Sequence, residues 1–101
     1  DIPHGPEILA PRDGAVVDRR GVVARWAGVA EIGGIEISGY RAIVTREEGS
    51  LRILSVDLPA SARKVTIPRE FLEPGTEYKL EVQSIERSGN QTLTEVTFRA
   101  R

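Results

Sequence analysis

The segment Glu77–Glu86 reads EYKLEVQSIE, and its side chains alternate with a period of two. Glu77, Lys79, Glu81 and Gln83 fall on one side; Tyr78, Leu80, Val82 and Ser84 fall on the other. Glu, Lys and Leu are good helix formers, but an amphipathic helix needs its apolar residues three to four positions apart. Strict alternation instead sets one row of side chains against a core and the other in water, which is the property of an extended strand. Short apolar-alternating runs of this kind, separated by turn residues, recur along the chain and are the mark of an all-β protein.

Glu7–Ala10 reads as a first strand, flanked by Pro6 and Pro11. Asp13-Gly14 marks a turn, after which Ala15–Val17 pairs briefly. Val22–Ala27 places Val22, Ala24 and Trp26 on one face, and Gly28–Glu36 is an apolar loop with Gly33-Gly34 at its tip. Tyr40–Glu47 puts Tyr40, Ala42 and Val44 on one face, and Glu48-Gly49-Ser50 turns the chain into Leu51–Leu58. Leu51 and Ile53 have one parity there, whereas Leu54, Val56 and Leu58 have the other; a bulge reconciles them. Lys64–Ile67 is a short strand, and Ser88-Gly89-Asn90 joins Glu77–Glu86 to Thr92–Ala100, where Val96, Phe98 and Ala100 share a face. The expectation is seven main strands and no helix, with residues 1–6 as a linker and residues 7–101 as a single domain.

Bulk properties remove several functions. A chain of 101 residues is one domain's worth. It has no cysteine, which excludes disulfides, thiol catalysis and cysteine-based metal sites. Its 14 basic and 15 acidic residues are interspersed, with a net charge of -1, so no basic block exists to neutralise phosphates and no nucleic-acid partner is expected. No apolar run approaches the ~20 residues a helix needs to cross a bilayer, so no membrane insertion is expected. Asp1 is not a natural translation start, so the chain reads as an excised part of a longer protein, and missing targeting signals carry no information.

Leu72-x-Pro74-Gly75-Thr76-x-Tyr78 resembles the corner before strand F of fibronectin type III domains. The resemblance implies that Tyr78 is structural, its hydroxyl turned back to the backbone just upstream in a tyrosine corner. Pro74 pre-sets the turn, Gly75 supplies a positive φ, and Leu72 fills the core beside the ring. Pro6-x-Ile8 with Pro11 is similar to that family's strand A, Trp26 to its strand B tryptophan, and Ile37-x-Gly39-Tyr40-Arg41 to the start of its strand C. Residues Pro11–Val17 also resemble the openings of bacterial members of the immunoglobulin-like superfamily. The resemblance implies a seven-stranded immunoglobulin-like antiparallel β-sandwich with sheets A-B-E and C′-C-F-G. It also implies an extracellular or cell-envelope setting, and it fixes no single activity.

Residue chemistry points away from catalysis and cofactors. The sole histidine, His4, lies in the proline-rich start, without a nucleophile beside it or partners for a metal. Glu31, Glu36, Glu47 and Glu48 are scattered through loops and read as solvated, not as a cation site. Gly28, Gly33 and Gly34 open no helix and lack dinucleotide-binding spacing. Of the five aromatics, Trp26, Tyr40, Tyr78 and Phe98 take inward parities and Phe71 sits beside the corner, which leaves none for a sugar-stacking platform. Arg87–Gln91 occupies the loop where some fibronectin modules carry Arg-Gly-Asp; that tripeptide is absent, so integrin binding is not supported. Asn90-Gln91-Thr92 matches a glycosylation sequon and is read as chance.

Two surfaces are candidate interfaces. Ile43 and Ile85 point outward by parity on neighbouring strands, where one face of Leu51–Leu58 would extend the patch. Val29, Ile32 and Ile35 form the other, in a loop that otherwise folds over the end of the core. The expected function is a non-catalytic interaction or spacer module, partnered by neighbouring domains of a longer chain or by another protein. The alternatives are an accessory domain of a secreted enzyme and a carbohydrate-binding sandwich.

Overall fold

The computed structural model describes residues 5–29, 31 and 33–101. Eight strands follow one another: β1 (Ile8–Ala10), β2 (Ala15–Val17), β3 (Val23–Trp26), β4 (Ile37–Arg46), β5 (Leu51–Pro59), β6 (Lys64–Thr66), β7 (Glu77–Glu86) and β8 (Gln91–Ala100). They form a three-stranded sheet, β1-β3-β6, packed on a five-stranded sheet, β2-β8-β7-β4-β5. Among the described residues the helical content is limited to three single 3-10 turns, at Arg19–Gly21, Glu48–Ser50 and Arg69–Phe71. The architecture is a β-sandwich.

The count of seven strands is corrected to eight. The added strand is β2, which pairs parallel to β8 with Ala15 opposite Phe98 and Val17 opposite Ala100. This is the segment expected to pair only briefly: three residues carry too little alternation to count as a main strand, and neighbouring polar groups recruit them. The Thr97 N–H donates to Asp13 Oδ1 at 2.8 Å, so a side chain stands in for a missing strand carbonyl. Gly14, at φ 80°, turns the chain and donates its own N–H to the Thr97 carbonyl at 2.7 Å. Beyond β2, the Arg101 N–H donates to the Val17 carbonyl at 2.9 Å.

The inward rows meet as their periodicity requires. Tyr78, Leu80, Val82 and Ser84 of β7 pair with Phe98, Val96, Thr94 and Thr92 of β8. Tyr40, Ala42 and Val44 of β4 stand opposite Ser84, Val82 and Leu80. Val22, Ala24, Trp26, Ile67 and Leu72 close the core from the other layer. Ser84 is the buried polar residue on this face, and its hydroxyl is hydrogen-bonded to that of Thr92.

The two parities of β5 are reconciled by a bulge. Val44 pairs with Leu54 and Thr45 with Arg52, leaving Ile53 as the extra residue. Both Ile53 and Leu54 pack against the core in consequence.

The linker boundary also moves. Pro6 is fully buried, and a side chain at Gly5 would meet the Leu93 carbonyl at 2.5 Å. These two residues belong to the packed body; the rest of the expected linker, with His4, lies outside the described residues.

Candidate functional site

Six residues have structural roles in the expected sandwich: Trp26, Tyr40, Leu72, Pro74, Gly75 and Tyr78. Leu72 (4% exposed) and Tyr78 (1%) are in the core, while Pro74 and Gly75 are exposed at the turn, with Gly75 at φ 80°. The Tyr78 hydroxyl accepts the Glu73 N–H at 2.7 Å, and its ring stacks on Phe98 with centroids 5.6 Å apart. Gly75 ties this corner to the last strand by donating to the Ala100 carbonyl at 2.8 Å. At the other end, Trp26 and Tyr40 are buried with centroids 5.8 Å apart, tilted by 47°. Trp26 Nε1 is enclosed without a hydrogen-bond partner, so this ring contributes through its packing alone.

The interface residues are placed differently from expectation. Ile43 lies on the outer face of the larger sheet but is only 4% exposed, which corrects its assignment as a surface residue. Its neighbours in register explain this. Glu81 stands opposite it on β7, flanked by Gln83 and Lys79, and Arg41 and Thr45 flank it on its own strand. The long polar side chains lay their aliphatic stems over apolar surface while their charged ends stay in water. Ile85 is half-buried opposite Gly39, and Gln83 stands between it and the Ile43 row. The two isoleucines therefore form no contiguous exposed patch.

The loop after β3 folds over the end of the core. Val29 and Ile35 pack against the buried cluster, and the Val29 N–H donates to the Tyr40 hydroxyl at 3.1 Å. Glu31 accepts the Ile37 N–H at 3.2 Å, and Glu36 pairs with Arg87 at 2.7 Å. Ile32 lies outside the described residues.

Arg63 is the partner that sequence reading missed at this end. Its guanidinium sits 5.3 Å from the Tyr40 ring centroid, and Nη1 donates to the carbonyls of Ala60 and Ala62, each at 2.8 Å. Gly28 makes room for it: a Cβ there would come within 2.5 Å of Arg63 Nη2. No local pattern signals this contact, because Arg63 lies in the connection before β6.

Elsewhere the outer face of the larger sheet carries paired charges, beside two exposed apolar side chains, Val16 and Leu93. Arg41 meets Asp57 at 2.6 Å, Arg99 meets Glu77 at 3.2 Å, and Lys79 lies 3.7 Å from Glu95. Beyond that sheet, the Arg20 side chain and backbone N–H both donate to Asp18, holding its carboxyl well below the usual range. Among the described residues no group of three His, Cys, Asp or Glu side chains comes together. A shallow depression of about 110 Å³ lies beside Val16, Glu77 and Arg99, well below the ~300–1,000 Å³ of typical ligand pockets.

One aromatic is on the surface after all. Phe71 is 45% exposed, which corrects the expectation that no aromatic remains available there. It stands in the short 3-10 turn Arg69–Phe71, whose geometry carries the ring out of strand register.

The most extended feature left without a partner is a strand edge. β5, nine residues long, ends the larger sheet, and nothing among the described elements pairs with its far side. The other terminal strands, β1, β2 and β6, have three residues each.

No protein-family model and no curated protein matches the chain. Solved structures share its fold. One described as a myokine is 21% identical, with a TM-score of 0.68 over 99% of this chain and 100% of that one. An engineered protein is 18% identical, with a TM-score of 0.64 over 99% of this chain but 21% of its own. The spore cortex lytic enzyme SleM of Clostridium perfringens is 18% identical, with a TM-score of 0.62 over 94% of this chain and 28% of the enzyme. The chain thus spans about a fifth of the engineered protein and little more than a quarter of the enzyme. At these identities the likeness defines a class, the small all-β sandwich.

Proposed function

We propose that the chain is a non-catalytic spacer and protein-interaction module within a larger secreted or cell-envelope protein. One observation carries this reading: the two ends of the described chain lie at opposite ends of a long, narrow body. Gly5 lies against Leu93, near the start of β8, whereas Arg101 follows the end of that strand. The body measures 43 × 23 × 19 Å. Such a rod sets whatever flanks it in a longer chain apart by its own length.

The finer family assignment is to the fibronectin type III domains. The Leu72–Tyr78 corner with its hydroxyl bond to Glu73 supports it. So does strand order, since β1-β3-β6 and β8-β7-β4-β5 correspond to the A-B-E and G-F-C-C′ arrangement of that family. A second reading, an accessory domain beside the catalytic part of a secreted enzyme, is favoured by the likeness to about a quarter of a lytic enzyme. In either case the module acts by geometry and not by chemistry.

Fusing a fluorescent protein to each end and measuring energy transfer tests the spacer. A single separation, unchanged by moderate salt, is expected; a broad distribution or close approach of the reporters refutes a rigid rod. A glycan array with the isolated chain is expected to stay blank, and specific retention of a sugar would favour carbohydrate binding.

A further inference from the structure

We propose that the free edge of β5 pairs with the same edge of a second copy, antiparallel across a two-fold axis at Ser55, joining two five-stranded sheets into one of ten strands. This goes beyond the spacer reading and does not depend on it.

An unpaired strand presents alternate N–H and C=O groups that another strand can satisfy. Among the described residues β5 is the long strand in that position. Its apolar side chains are also incompletely covered. Leu51 is 50% exposed, and Ile53, Leu54, Val56 and Leu58 are half-buried. A matching strand laid alongside would cover this row with an identical one.

Charge placement selects the second copy as occupant. Arg52, Ser55 and Asp57 stand opposite Thr45, Ile43 and Arg41, so all three lie on the outer face. Arg52 and Asp57 are five residues apart and in a regular strand would face opposite ways. The bulge, which makes Ile53 and Leu54 share one position, puts them on the same face with Ser55 midway. Two antiparallel strands related by a two-fold axis must have one residue paired with itself. With Ser55 there, Arg52 of each copy stands opposite Asp57 of the partner subunit, so the complementary pair forms twice. On the inner face the same register sets Leu51 against Leu58, and the Ile53–Leu54 position against Val56. Edge strands are commonly guarded by charged side chains, prolines or bulges, and like charges set directly opposite one another repel a second strand. β5 instead carries one cation and one anion at symmetric positions. Asp57 already meets Arg41, but its side chain is 75% exposed and its second oxygen is available to another donor.

Sedimentation velocity over a concentration series tests this, with circular dichroism to check that each variant is folded. The unmodified chain should form a dimer as concentration rises. Arg52→Asp and Asp57→Arg each set like charges opposite one another twice, and each should weaken self-association by roughly tenfold or more. An equimolar mixture of the two variants restores both complementary pairs, so a heterodimer should appear where neither variant alone dimerises. A chain that stays monomeric throughout, a dimer indifferent to both substitutions, or a mixture that fails to associate would each overturn the proposal.

Discussion

The two ends of the sandwich are each closed by a tyrosine, and they are closed differently. At one end Tyr78 accepts the N–H of Glu73, five residues upstream, and stacks on Phe98 of the neighbouring strand. The brace is local in sequence and made within one corner. At the other end Tyr40 accepts the N–H of Val29, eleven residues upstream, meets Trp26 of the opposite sheet at a tilt, and lies beneath Arg63. That brace ties together both sheets, a loop and the connection before β6. The same side chain therefore serves once as the clamp of a turn and once as the hub of a tertiary cluster.

Trp26→Ala should break the Tyr40 end with the largest effect. Emptying a fully buried ring site costs roughly 3–5 kcal/mol, a large share of the ~5–15 kcal/mol that holds a domain of this kind together. A urea midpoint close to that of the parent would show that the tilted pair is dispensable. Removing only the hydroxyls sharpens the contrast. Tyr78→Phe and Tyr40→Phe should each cost about 1 kcal/mol, the net value of one hydrogen bond. The two should differ in where amide exchange accelerates: at Glu73 in the first variant and at Val29 in the second. Acceleration at both amides in either variant would mean that the ends are coupled and not independent.

Asp18→Asn should do least, because the ion pair with Arg20 is exposed and screened. Its sign is nevertheless defined. The folded state holds the Asp18 carboxyl below its ordinary value of about 3.9, so the pair's contribution is present above that pH and lost as the pH falls below it. The parent and Asp18→Asn stability curves should converge in strong acid and separate slightly at neutral pH. A gap that widens on acidification would contradict the assignment.

The difference between the braces also explains what the sequence discloses. The Tyr78 corner is written in consecutive residues, so Leu72, Pro74, Gly75 and Tyr78 are readable together. The Tyr40 cluster is assembled from residues 26, 28, 29, 40 and 63; the inward parities of Trp26 and Tyr40 and a loop at the end of the core are legible, and the part played by Arg63 is not. Alternation revealed the long strands and the need for a bulge in β5. The Asp13-Gly14 turn, and not alternation, signals the brief pairing of Ala15–Val17; its partner β8 is not legible, because the bonds between Asp13, Gly14 and Thr97 are tertiary. The outward parity of Ile43 was legible, but its burial was not, because parity does not measure how far Glu81, Gln83 and Arg41 reach across a sheet. The edge position of β5 is implied by the family resemblance and not by its own residues, since strand order is a property of the whole chain.

The hydroxyl pair of Ser84 and Thr92 has a consequence for fidelity in folding. Sliding β8 along β7 by one residue would turn its core row outward and is strongly opposed. A slide of two residues keeps every side chain on its proper face, so hydrophobicity alone barely resists it. A slide in one direction would part the two hydroxyls and set Thr92 against Val82, whereas a slide in the other would offer Ser84 the hydroxyl of Thr94. Two small oxygen atoms thus act as a one-way alignment mark, penalising one of the two errors that greasy contacts would forgive.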